Sequence, residues 1–92
     1  MADKDYLSRS LKIIRFFAKN AGTPELEANK GTLLNELVKY VKALSENSQS
    51  IAKLASESLI AILRSFINDK DRNCRINTLK ALRYILDSAP AL

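Results

Sequence analysis

The sequence predicts an all-α fold of about five helices, and three observations carry that prediction. Apolar residues recur at steps of three and four along most of the chain, no segment sustains the apolar and polar alternation of a strand, and only two glycines and two prolines interrupt 92 residues. Hydrophobic residues make up 47% and charged residues 27%, enough apolar surface for a folded core and not the composition of a disordered chain. At this length the expectation is one domain over residues 1–92, or a fragment or terminal cap of a longer helical array.

The elements follow from the apolar spacing and its punctuation. Over residues 5–20, Leu7, Leu11, Ile14 and Ala18 fall on one helical face, which Tyr6, Ile13 and Phe17 widen. Asn20-Ala21-Gly22 is a stop, because glycine enters the left-handed conformation without steric cost. Thr23-Pro24-Glu25 reads as an N-cap, a first-turn proline and an acid near the positive end of a helix, so a short helix is expected over residues 24–29. Gly31 is expected to break it. Thr32 then caps a third helix whose Leu33, Leu34, Leu37, Val38, Val41 and Leu44 form a broad apolar arc.

Ser45 to Ser50 is polar and rich in capping residues, so the chain is expected to turn there. Ile51, Leu54, Ala55, Leu59, Ile62, Leu63 and Phe66 define a fourth helix, apolar on most sides and expected to be buried. Asn68-Asp69-Lys70-Asp71 offers a turn and N-cap candidates for a fifth. Leu79, Leu82, Ile85 and Leu86 mark its apolar face, and it is expected to end near Ser88-Ala89-Pro90. Short loops between such helices favour antiparallel neighbours.

The fifth helix carries a further pattern: Asp69, Asp71, Cys74, Arg75, Thr78, Ala81, Leu82 and Ile85. It resembles the second helix of a HEAT-type repeat, in which acid, acid, apolar, arginine, small, small, leucine and apolar residues succeed one another. The resemblance implies a compact, right-handed HEAT or armadillo-like helical stack, with Asp69 and Arg75 as structural ladder residues. A weaker echo, Glu46, Ser48, Ile51, Ala55, Ser58, Leu59 and Ile62, carries Ala52 where the arginine would stand. It lies 23 residues before the first pattern, and whole repeats need about 40–47, so the two make one repeat-like hairpin over residues 46–86. Residues 33–66 also resemble the N-terminal helical domain of transcription elongation factors, through Ile51 and Leu54-Ala55. That resemblance implies binding of disordered acidic-hydrophobic peptides, although the family's tryptophan late in the fourth helix is missing here.

The chain carries +5 formal charge, concentrated at its two ends: residues 1–22 hold five basic and two acidic side chains, residues 23–68 five of each, and residues 69–92 five and three. An acidic partner suits that balance. On the first helix Lys12, Arg15 and Lys19 share a stripe, Arg9 lies close by, and Phe16 sits beside them outside the main apolar face, which is a basic rim around an aromatic anchor. Arg72, Lys80 and Arg83 make a second basic stripe on the fifth helix, where Asn73 and Asn77 also offer polar groups for a nucleic acid. The plain alternative for both stripes is a solvated face. Three functions stand in order: a protein-interaction or scaffold module holding a peptide or partner helix in a groove between parallel helices, an elongation-factor-like domain, and a basic nucleic-acid-binding domain.

Other chemistry lacks its parts. With no histidine and one cysteine, Cys74 has no partner for nucleophilic or metal chemistry, so no enzyme, cofactor or metal is expected. Cys74 is expected to pack as a small apolar residue, and Tyr6, Tyr40 and Tyr84 as half-buried rings. The longest apolar run of the central region, Leu59 to Leu63, is far short of the roughly 20 residues of a membrane span, and the start Met1-Ala2-Asp3-Lys4-Asp5 has no signal-peptide core. A lone cysteine fits a reducing compartment, cytoplasm or nucleus. If the chain is a fragment, an uncovered apolar face would drive self-association.

Overall fold

The computed structural model describes residues 3–88, with side-chain surroundings from residue 5 to residue 87. Its helices are α1 (Asp3–Lys19), α2 (Pro24–Leu44), α3 (Ser48–Ser56), α4 (Leu59–Arg64) and α5 (Arg72–Ser88), and the described residues contain no strand. The expected end near Ser88-Ala89-Pro90 meets α5 at Ser88, and Ala89 and Pro90 lie outside the described residues.

Local chemistry explains the first turn. Gly22 adopts φ 78°, and the Thr23 hydroxyl oxygen accepts the Leu26 N–H at 3.2 Å at the head of α2. Two boundaries differ from expectation. Gly31 does not break the chain: the short helix at residues 24–29 and the third helix are one 21-residue helix. A mid-helix glycine costs about 1 kcal/mol, less than α2 gains by packing along both α1 and α5. The expected fourth helix is in turn two, α3 and α4, because Ser58 takes the left-handed conformation at φ 68°. The bend lets Ile51 and Leu54 of α3, and Leu59 and Leu63 of α4, all reach the core.

Helix directions follow from which residues meet. Tyr6 stacks on Tyr40 at 5.8 Å, and Ile13 and Phe16 share a cleft with Asn29 and Leu33, so α1 and α2 are antiparallel. Lys30 pairs with Asp69 just before α5, while Lys42 and Ala43 share a cleft with Tyr84, so α2 and α5 run in the same direction. The antiparallel expectation therefore does not extend to this pair: α3 and α4 carry the chain back to the level of the α2 N-terminus before α5 begins. α1 and α5 lie on opposite flanks of α2 and do not pack on each other.

The core runs through all five helices, and Phe17 of α1 closes it against Phe66 at 5.2 Å between ring centroids. On α5 the buried row is Cys74, Thr78, Ala81 and Ile85. Leu79 and Leu86, expected as core markers, are 54% and 53% exposed. The small side chains of Cys74, Thr78 and Ala81 let α5 approach its neighbours closely, and Leu79 and Leu86 lie about 110–130° around the helix from the centre of that row. Tyr6, Tyr40 and Tyr84 are half-buried against the core, and Cys74 is a buried free thiol.

Candidate functional site

On α1, Arg9, Lys12, Arg15 and Lys19 are exposed and Phe16 is half-buried. Lys12, Ile13 and Phe16 line a shallow cleft of about 310 Å³ with Asn29 and Leu33 of α2. Phe16 forms its floor, with an edge contact to Phe17 at 6.3 Å. The Arg9 guanidinium lies 6.0 Å from the Tyr40 ring centroid, on the α1–α2 seam beyond the cleft. Arg15 turns away: its Nη2 pairs with Glu57 at 3.3 Å, a solvated bridge to the end of α3. Among the described residues no carboxylate pairs with Arg9, Lys12 or Lys19. The fold therefore brings Lys12 and Phe16 to one cleft, sets Arg9 at Tyr40 further along the α1–α2 seam, leaves Lys19 unpaired among the described residues a turn beyond, and commits Arg15 elsewhere.

On α5, Arg72, Lys80 and Arg83 are exposed, and Arg83 approaches Asp87 of its own helix only to 4.0 Å. Lys80 borders a polar cleft of about 330 Å³ with Asn35, Asn73 and Asn77, where α2 and α5 lie side by side. Sequence reasoning missed that Ile76, Leu79 and Leu86 stand among these basic residues at the surface. The signal was present in the small residues at positions 74, 78 and 81, which mark the buried row and leave the leucines outside it.

Asp69 and Arg75, the pair expected to form a ladder, meet through the backbone. Arg75 Nη1 donates to the Asp69 carbonyl oxygen at 2.6 Å. The Asp69 carboxylate accepts the Asp71 N–H at 3.0 Å and pairs with Lys30 Nζ at 2.9 Å. Lys30 also reaches Glu27 at 2.9 Å. Hydrogen bonds donated to Glu27 and then to Asp69 raise the Lys30 pKa above its ordinary value against the opposing effect of burial. Burial acts to raise the Asp69 pKa, and the Lys30 ammonium with the Asp71 N–H outweighs it, leaving that carboxyl below its usual value. Lys30 went unnoticed in the sequence, although it fills a slot in the otherwise apolar row Leu26, Leu34, Leu37 and Val41, where only a paired lysine can be buried.

An apolar cleft of about 440 Å³ lies near this cluster, between Phe17, Leu26, Ile62 and Phe66, with Glu27 and Asp69 at its rim. Both carboxylates already hold Lys30. Burial and then the neighbouring Asp71 and Asp69 push the Cys74 thiol up to about 11, so at neutral pH it is protonated and a poor nucleophile. Among the described residues no group of three metal-ligating side chains converges, and no helix is long and apolar enough to cross a membrane. Compared with known protein families, curated proteins and solved structures, the chain matches none.

Proposed function

We propose that the chain is a protein-interaction module, a small HEAT or armadillo-like helical stack that holds an acidic peptide or partner helix on its surface in a reducing compartment. The observation that carries this reading is the α1–α2 cleft. Phe16 and Leu33 give it an apolar floor, Lys12 lines it, and Arg9 and Lys19 stand one and two turns away on the exposed side of α1, none of the three paired with a carboxylate among the described residues. An aromatic or aliphatic side chain of a partner would fill the floor while flanking acids meet the rim. The elongation-factor-like reading asks for the same occupant, a disordered segment that alternates acidic and hydrophobic residues.

The test is titration with a fluorescent synthetic peptide of alternating Asp/Glu and Leu/Phe. Lys12→Glu with Lys19→Glu leaves the core untouched, so helicity and unfolding should stay as in the unaltered chain. Affinity should fall at least tenfold, mostly through slower association at low salt. Phe16→Ala should speed dissociation. Unchanged affinity in the charge-reversed variant would exclude this cleft. Tight binding of a random oligonucleotide with a steep salt slope, and no peptide binding, would move the domain to the nucleic-acid class.

A further inference from the structure

The outward face of α5 carries an interaction surface of its own. At about 100° per residue, Arg72, Ile76, Leu79, Arg83 and Leu86 fall within an arc of about 80°, on the side opposite the buried row of Cys74, Thr78, Ala81 and Ile85. Ile76, Leu79 and Leu86 are the exposed large hydrophobic residues among the described positions, and all three lie on this one helix. Their company is basic. Arg72, Lys80 and Arg83 are exposed around them, and the 4.0 Å approach of Asp87 to Arg83, with both side chains in solvent, neutralises little.

We propose that this face docks an amphipathic helix of another protein, whose leucine-like side chains pack on Ile76, Leu79 and Leu86 and whose glutamates or aspartates meet Arg72 and Arg83 within the row and Lys80 at its side. The period of the face selects a helix. Steps of three and four along a straight α5 match the ridge of another helix, whereas an extended strand repeats every two residues. Charge selects an acidic partner over a second copy, because α5 holds four basic side chains against one acidic, and pairing it with itself would oppose like charges. A membrane surface suits the face poorly, since an arginine stands between Leu79 and Leu86 and no aromatic residue lies in the row. This site does not depend on the α1–α2 cleft. α1 and α5 lie on opposite flanks of α2, so one chain has room for two partners at once.

The experiment uses the whole chain and a labelled helical peptide of about 18 residues, long enough to span the face, with leucine at three- and four-residue steps and glutamate on both flanks. A scrambled peptide of the same composition is the control. Micromolar binding that weakens with salt is expected, falling at least tenfold for Leu79→Ser with Leu86→Ser and for Arg72→Glu with Arg83→Glu, and unchanged for Lys12→Glu with Lys19→Glu. That last variant separates this surface from the α1 cleft. All substituted side chains are exposed, so unfolding curves should match the unaltered chain. No binding at millimolar peptide, equal binding of the scrambled control, or insensitivity to both α5 variants would overturn the proposal. So would a concentration-dependent dimer abolished by Leu79→Ser, or sedimentation with anionic phosphatidylserine vesicles in place of peptide binding.

Discussion

The Lys30 ammonium on α2 meets the Asp69 carboxylate, 39 residues further along the chain, at 2.9 Å, and so ties together the N-terminal ends of two parallel helices. Both side chains are largely shielded, at 6% and 13% exposure. Removing Lys30 strands the Asp69 charge, whereas Lys30 keeps Glu27 when Asp69 is neutralised. Lys30→Met should therefore destabilise the chain by about 2 kcal/mol and Asp69→Asn by somewhat less, with a coupling of about 1 kcal/mol in the double-mutant cycle, all read from urea midpoints.

The same pair shapes the pH profile. Asp69 titrates lower in the folded chain than in the unfolded one, so its contribution is present above the ordinary value of 3.8 and is lost as pH falls through the folded value. Lys30 titrates higher when folded, and its contribution persists up to the ordinary 10.5 and is lost as pH rises through the folded value. Cys74, raised from 9.0 to about 11, deprotonates first in the unfolded chain, so stability starts to decline above pH 9. Urea midpoints should be flat between about pH 5 and 9 and fall on either side, and Lys30→Met should flatten the acid limb. An unaltered acid limb in that variant would show that the pair does not set it.

Two backbone positions offer opposite corrections. Gly31 sits inside α2, where an added Cβ would meet only an Asp71 carboxylate oxygen at 4.0 Å, so Gly31→Ala should stabilise by about 1 kcal/mol. Ser58 is held at φ 68° and its side chain makes no cap hydrogen bond, so Ser58→Gly should gain up to about 1 kcal/mol by removing left-handed strain. Thermal unfolding of the two variants tests both, and a loss in either contradicts its local account.

These positions also show how far the sequence could be read. The helical class, the Gly22 stop and the Thr23 cap were legible because each rests on local chemistry within a few residues. The continuity of α2 was not, because glycine at position 31 is a local signal overruled by packing along two flanks. The division of α3 from α4 was hidden in a serine, a residue that rarely adopts positive φ. The α5 face was half misassigned: Ile85 and Leu82 do face the core, whereas Leu79 and Leu86 were read as buried because leucine suggests burial, and the helices meet through Cys74, Thr78 and Ala81. The α1 stripe was legible as a set of basic residues, and only the fold separates Lys12 at the cleft from Arg15 on Glu57.

Thr78 lies fully buried in that close contact, and among the described residues neither its hydroxyl nor that of Ser10 on α1 has a hydrogen-bond partner. A hydroxyl stripped of water without a partner costs about 1–3 kcal/mol. Thr78→Val keeps the shape and removes the polar atom, so it should raise stability by about 1 kcal/mol, with Ser10→Ala smaller because it leaves a small void. A destabilised Thr78→Val variant, measured by urea unfolding, would mean that the hydroxyl is bonded in solution.

Arg75 closes the loop before α5 by donating to the Asp69 carbonyl oxygen at 2.6 Å, while the carboxylate of that residue is engaged by Lys30. One aspartate thus joins α2 through its side chain and α5 through its backbone, and losing the arginine frees the turn that positions the carboxylate. Arg75→Ala should lower stability by about 1–3 kcal/mol, and Arg75→Lys by less, since an ammonium on a similar stem can still reach a single carbonyl. The loss should be partly shared with Lys30→Met in a double-mutant cycle, because both substitutions loosen the same aspartate. Binding provides the contrasting measurement. Peptide affinity at the α1 cleft should be unchanged in Arg75→Ala under conditions where the chain remains folded, and intact stability with lost binding would transfer Arg75 from the loop to the partner surface.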